Sequence, residues 1–313
     1  MSIAILGASS QIAKDLIFSF AKAGRRDLLL YVRSTDRTSA WVVEHGLQHA
    51  CSVHHHDTYG LMPHDVVINF VGVGDPMRTA EMGSAILPIT AHFDGLVMAG
   101  LEQHPHRRYL FLSSGAVYGN SFTEPATADT QATIAINAIR PQDRYAMAKL
   151  YAEVGHRGRP DLAIVDLRVF NIFSRTHDIN ARFFITDIVR AIRDKRSLQT
   201  STDYMVRDFM HPQDFHQLVE CLLAAPRANC AIDCYSREPI DKPLLLQTMA
   251  EHFGLHYEVV AGTTASVNAT GAKPFYYSLN RKAAEFGYQP QWSSLEVILT
   301  ETAAILDGES AAA

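Results

Sequence analysis

Apolar residues in the first half of the chain fall into short unbroken runs separated by longer amphipathic ones. Ser2–Leu6, Asp27–Val32, Val66–Val71, Tyr109–Ser113 and Ala163–Arg168 are the short runs. Apolar segments of this length, without polar alternation, suit strands buried on both faces of a parallel sheet. The stretches between them, such as Ile12–Ala23 and Ile86–Leu101, carry helical periodicity. Alternating strand and helix signals predict an α/β fold built on a doubly wound parallel sheet.

After about residue 172 the pattern changes. Helical stretches near 182–194, 213–224 and 242–253 alternate with shorter, less regular segments. They predict a smaller C-terminal α+β lobe over the carboxyl edge of the sheet, where open α/β sheets bind ligands. The expected division is a sheet domain over 1–172, completed by returning segments from the second half, and a substrate lobe over 173–307. A small polar tail over 308–313 is expected to fray.

Composition narrows the class. The 313 residues are 47% hydrophobic and 19% charged, with a formal net charge of -5. No basic patch stands out, so nucleic acid is not the expected partner. No apolar run approaches the roughly 20 residues that span a bilayer, and no membrane association is expected. The chain starts directly in a strand, without a charged segment and cleavage site, and a cytoplasmic protein is expected. Cys51 and Cys221 are isolated, while Cys230 and Cys234 are four apart with no second pair to complete a zinc site. All four read as free thiols. His54, His55 and His56 follow an apolar stretch; side chains alternate along a strand, so the three cannot all face one ion. No metal is expected.

The first strand runs into Gly7-Ala8-Ser9-Ser10-Gln11-Ile12-Ala13. In a Rossmann dinucleotide turn the first glycine permits the tight turn, the second admits the pyrophosphate, and the third lets helix and strand pack closely. Gly7 keeps the first role, whereas Ser10 and Ala13 stand at the other two places. The Ser10 hydroxyl can donate to a phosphate oxygen. Backbone N–H groups near Gln11 and Ile12 open the helix and supply the rest. At the end of the second strand, an acidic residue would bind the adenine ribose. Arg33-Ser34 stands there instead, and a cation beside a hydroxyl suits a 2′-phosphate. NADP is therefore expected over NAD.

Tyr145 and Lys149 lie four apart in a helical pattern, on one face. A phenol titrates near 10, and a nearby ammonium would lower that value. Ser113 and Ser114 end a strand at the sheet's carboxyl edge. A serine hydroxyl that holds an oxygen while a tyrosine moves its proton is the chemistry for reducing a carbonyl or oxidising an alcohol beside nicotinamide.

These motifs are similar to those of the extended short-chain dehydrogenase/reductase family of nucleotide-sugar epimerases, dehydratases and reductases. The resemblance is carried by Gly7–Ala13, Ser113-Ser-Gly-Ala-Val-Tyr-Gly119, Tyr145-Ala-Met-Ala-Lys149, Leu167–Asn171, Val206–Phe215 and Ser278–Tyr288. It implies that Ser114 binds the reacting oxygen, Tyr145 is the acid/base, and Lys149 binds the nicotinamide ribose and tunes Tyr145. It places Phe70, Val71 and Gly72 along the cofactor and Asp57 near the adenine. Asn171 and Arg207 are implied to contact the phosphates of a nucleotide-sugar substrate; a structural pair of Arg207 with Asp208 or Asp214 is the alternative. Phe183 and Phe184 either wall the nucleotide pocket or pack in the core. A homodimer through the helix of Tyr145 is a further family expectation.

Two departures shape the functional expectation. Family dehydratases carry an acid pair directly after the Ser/Thr, where this chain has Gly115-Ala116. The loop glycines are reduced and the acid ending the second strand is lost. Together they favour an NADPH-dependent reductase of a keto-sugar nucleotide, with a 4-keto-6-deoxy sugar in mind. A 4-epimerase using the same Ser114, Tyr145 and Lys149 is the first alternative, and a non-catalytic NADP-binding sensor the second.

Overall fold

Successive residues of a strand point to opposite faces of its sheet, and in this chain both sets are apolar. The computed structural model describes residues 1–72, 81–119, 122–141, 143–260 and 273–310. Its first half runs β1 (Ile3–Leu6), α1 (Gln11–Lys22), β2 (Leu28–Val32), α2 (Thr35–Glu44), β3 (Cys51–His55), β4 (Val66–Asn69), α3 (Ile86–Gln103), β5 (Arg108–Ser114), α4 (Asp143–Arg157) and β6 (Ala163–Val169). Ile3 and Ile5 enter one core with Leu28, Leu30, Leu16 and Phe20. Ala4 and Leu6 enter the core on the other face, with Leu29, Val97, Leu101 and Phe111.

The second half continues β7 (Asn171–Ile172), α5 (Phe184–Arg193), β8 (Leu198–Thr200), β9 (Val206–Arg207), β10 (Phe209–Met210), α6 (Pro212–Ala224), β11 (Cys230–Asp233), β12 (Ile240–Asp241), α7 (Lys242–Phe253), β13 (Tyr257–Val259), β14 (Phe275–Tyr276) and α8 (Ser294–Ser310). One seven-stranded sheet has the order β11-β6-β5-β4-β1-β2-β3. Every pairing in it is parallel, and β11 returns from the second half to pair with β6. The expected doubly wound α/β sheet is thus observed. A separate core of Phe173, Ile188, Val189, Met249 and Ile298 joins α5, α7 and α8.

Helix α8 runs to Ser310 with Val297, Ile298 and Ile305 in the C-terminal core, and 311–313 of the expected tail lie outside the described residues. Two expectations need correction. The segment Gly83–Gln103 is long and apolar enough to cross a membrane by length and composition alone, contrary to the expectation of no such run. Its Val97 and Leu101 are buried under the sheet, and the helix packs along α4. Finally, β3 ends at His55 and His56 opens a 3-10 turn. Strand alternation therefore lapses, and the rings of His55 and His56 stack 4.3 Å apart.

The helix α4 is fixed to the sheet by buried charge. His156 is fully buried; its Nδ1 lies 2.6 Å from Asp166 on β6, and its Nε2 lies 2.8 Å from Asp94 on α3. Tyr109 on β5 donates to Asp94 at 2.8 Å and accepts from the Asn69 amide at 2.9 Å. Arg157 donates to the other oxygen of Asp166. Burial alone would push the imidazole down, but the hydrogen bonds and charges of Asp166 and Asp94 raise it to about 9.

A pKa raised above its unfolded value of about 6.5 contributes stability that is complete below that pH and disappears as pH rises through about 9. Removing the ring strands two buried carboxylates. His156→Leu should cost about 3–5 kcal/mol at pH 6.5, with a smaller deficit at pH 9.5. Urea unfolding at both pH values checks this; an equal deficit at each would contradict it.

Candidate active site

One cleft of about 1790 Å³ runs along the carboxyl edge of the sheet and under the second lobe. It exceeds the roughly 300–1,000 Å³ of an ordinary small-ligand pocket, leaving room for two ligands end to end.

The β1–α1 turn forms its floor. Gly7 has φ +70, and a Cβ there would lie 3.0 Å from the backbone of Phe70 and Val71, so only glycine lets the two strand ends approach. Ser9, Ser10, Gln11 and Ile12 all line the cleft. The Ser10 oxygen accepts from the Ala13 N–H at 3.3 Å and caps α1. Its proton remains available to a phosphate. The Gln11 side-chain amide donates to Asp15 at 2.5 Å and Ser174 at 2.7 Å. The α1 terminus carries no acidic side chain in its first turn, which suits an anion.

At the end of β2, Arg33 and Ser34 also line the cleft, joined there by Arg37 and Lys14. Arg33 and Arg37 are exposed and have no ion-pair partner among the described residues. Lys14 lies over the Trp41 ring at 5.0 Å, its pKa lowered by burial and then by Arg37. Arg37 and Lys14 were not singled out in the sequence, although each lies on a helix opening at a cleft-lining loop. Asp57 is not brought to the cleft; it is exposed and lies 2.8 Å from His56 and 3.3 Å from His55.

The central group sits where β5 ends. Ser113 and Ser114 both line the cleft with Tyr145 and Lys149, and Ser113 donates to Glu153 of α4 at 2.5 Å. Phe70 and Gly72 line it as well; Val71 instead offers its carbonyl to Lys149 at 3.4 Å. Lys149 is almost fully buried and donates to the Leu112 carbonyl at 2.7 Å. Burial lowers its pKa to about 8. A Cβ on Gly72 would stand 3.0 Å from that ammonium. Tyr145 departs from the expected tuning. Burial raises its phenol, with Ser114 opposing that rise, while the Lys149 ammonium is bonded to the two carbonyls. Tyr145 is thus held as a neutral proton donor.

The far end is cationic and aromatic. Arg207 does not pair with Asp208 or Asp214: one nitrogen donates to the carbonyls of Lys273 at 2.7 Å and Val206 at 2.8 Å. Asp208 accepts from Ser236, and Asp214 from the Gln291 and Trp292 N–H groups. Burial lowers Arg207 to about 10. Lys273, buried beside it, is lowered to about 8 by burial and then by Arg207. Such cations favour an anionic ligand. Asn171, Phe183 and Phe184 line this stretch, with the Asn171 amide donating to the Asp208 carbonyl at 3.1 Å. Lys273 and Tyr276 escaped the sequence reading because only the parallel pairing of β14 with β9 sets Tyr276 opposite Arg207.

Comparisons place these features among known proteins. The family model described as the NAD dependent epimerase/dehydratase family matches residues 3–233. No curated protein matches the chain by sequence. Among solved structures, a UDP-glucose 4-epimerase from Thermotoga maritima with UDP-glucose is similar with a TM-score of 0.81 and 14% identity, covering 99% of this chain and 100% of its own. A UDP-glucose-4-epimerase from Stenotrophomonas maltophila with bound NAD and formylated UDP-arabinopyranose gives 0.80 and 16%, with 100% of both chains covered. A dTDP-glucose 4,6-dehydratase from Bacillus anthracis in complex with NAD gives 0.77 and 13%, covering 99% of this chain and 98% of that one.

The two buried cleft lysines should titrate apart from the others. Side-chain nitrogen NMR should show ammonium signals titrating near pH 8 that vanish in Lys149→Met and in Lys273→Met. Titration of both at the ordinary lysine value of about 10.4 would contradict this electrostatic description.

Proposed function

The chain belongs to the NAD dependent epimerase/dehydratase family, and from that premise we propose that it is an NADPH-dependent reductase of a keto-sugar nucleotide. A 4-keto-6-deoxy sugar is the substrate class to try first. The observation that carries the chemistry is the convergence of Ser114, Tyr145 and Lys149 in one cleft with Tyr145 held protonated.

A bound reduced nicotinamide supplies a hydride to the carbonyl carbon. Tyr145 gives its proton to the carbonyl oxygen, and Ser114 hydrogen-bonds that oxygen while charge develops on it. Lys149, charged below about pH 8, would hold the nicotinamide ribose. Gly7, Gly72 and the open end of α1 fit the dinucleotide. Arg207 and Lys273 would take the substrate's phosphates.

Dehydration fits this site poorly. A Cβ at Gly115 would stand 2.5 Å from the Phe170 ring, so the place of a family acid is filled by an aromatic wall. The Arg33, Arg37 and Lys14 cluster supports NADPH, because a 2′-phosphate supplies the anion these cations lack. A second reading, 4-epimerisation of a nucleotide sugar, is favoured by the family and by the same three catalytic groups. The exposed Tyr151 and Val154, three apart on α4, are apolar positions on the helix of Tyr145 that support a homodimer.

NADPH absorbance should fall stoichiometrically with a keto-sugar nucleotide from a panel. Arg33→Ala should weaken NADPH binding roughly tenfold and leave NADH unchanged. Sugar inversion without net NADPH loss would establish the epimerase instead, and equal NADPH and NADH affinities would remove the cofactor preference. In sedimentation velocity a dimer is expected, and Tyr151→Glu should dissociate it; a wild-type monomer at micromolar concentration would contradict the dimer.

A further inference from the structure

Ser114 has one hydroxyl proton and two lone pairs, and its neighbours limit how each is used. The Ala116 N–H donates to Oγ at 3.2 Å. The Tyr276 hydroxyl lies 3.4 Å from the same oxygen, although it is 162 residues away in the chain. Tyr145 lines the cleft together with Ser114. The serine therefore stands between two phenols, of which only Tyr145 belongs to the expected catalytic set.

Tyr276 is held in place from several directions. Its ring meets Phe122 edge-on at 4.9 Å and Phe170 at 5.2 Å. The Lys273 ammonium lies 4.6 Å from the ring centre. Two residues further on, Ser278 donates to the buried Asp233 at 2.5 Å, tying the segment to β11. Burial pushes the phenol well above the ordinary tyrosine range, so it keeps its proton at any physiological pH.

The geometry points to Tyr276 as a positioning residue of the reaction centre: its hydroxyl and the Ala116 N–H occupy both lone pairs of Ser114 and turn the serine proton toward the reacting oxygen. Two consequences follow. Ser114 acts only as a donor to the sugar oxygen. Tyr145 finds no acceptor on Ser114, so its own proton is kept for the same oxygen. The ring of Tyr276 lines the cleft beside Phe170; the hydroxyl is the part that acts. This rests on the proposed role of Ser114 in holding the carbonyl oxygen.

Tyr276→Phe keeps the ring and removes only the hydroxyl. It should lower kcat about tenfold, the loss of one hydrogen bond's orienting effect, while KM for the sugar nucleotide and NADPH affinity stay within about twofold. In a Ser114→Ala background the same change should alter the rate less than about twofold, because the groups act as a unit. An equal loss in both backgrounds, or a rise in KM alone, would overturn the inference. Neutron diffraction from deuterated crystals tests the same point without turnover. The Tyr276 deuteron should point at Ser114 Oγ; a Ser114 deuteron directed at Tyr276 would overturn the inference whatever the substrate proves to be. A wild-type enzyme inert to every keto-sugar nucleotide, with the deuterons as expected, would sink the reductase reading and leave this hydrogen-bond order standing.

Discussion

The salt-linked imidazole of His156 is the constraint from which the site's geometry follows. It ties α4 to β6 through Asp166 and to α3 through Asp94. Lys149 and Tyr145 precede it on the same helix by about two and three turns, so the contact that seats the helix also aims both residues at the sheet's carboxyl edge. Tyr109 and Asn69 extend the hydrogen bonds across β5 and β4, ending at the Val71 N–H beside the cleft. Moving α4 would leave charge buried without a partner, which is why a catalytic helix can be held this rigidly.

A second network performs the same service for the returning segment. Glu153, one turn beyond Lys149, accepts from Ser113 and Arg168; Arg168 donates to Tyr118, and Tyr118 to Asp233. Asp233 accepts from Ser278, just past Tyr276. Carboxylates near the reaction centre are thus engaged in structure, while the cations at both ends of the cleft, Arg33 and Arg37 at one and Arg207 and Lys273 at the other, have no carboxylate hydrogen-bonded to them among the described residues. That asymmetry is the electrostatic profile of a cleft for a phosphorylated cofactor and an anionic substrate.

The sheet was legible in the sequence because its strands are apolar on both faces and its helices keep a helical period. Ser114, Tyr145 and Lys149 were legible because a local spacing and a strand end place them. Asp57 was placed near the adenine from its approximate chain position alone, and the turn after β3 leaves it exposed beside two histidines, outside the lining of the cleft. Lys149 illustrates another limit, since spacing put it on the face of Tyr145 but could not show that two carbonyls hold its ammonium. Tyr276 and Lys273 had no local signal at all; a parallel two-residue pairing between β9 and β14 brings them in.

The most direct test of the account is a crystal structure with NADPH bound. The account predicts the nicotinamide ring in the cleft between Gly72 and Ser114, with its reactive carbon facing the open space beside the Tyr145 hydroxyl and its ribose on Lys149. A ring bound away from Tyr145, or a dinucleotide that leaves the β1–α1 turn untouched, would contradict it.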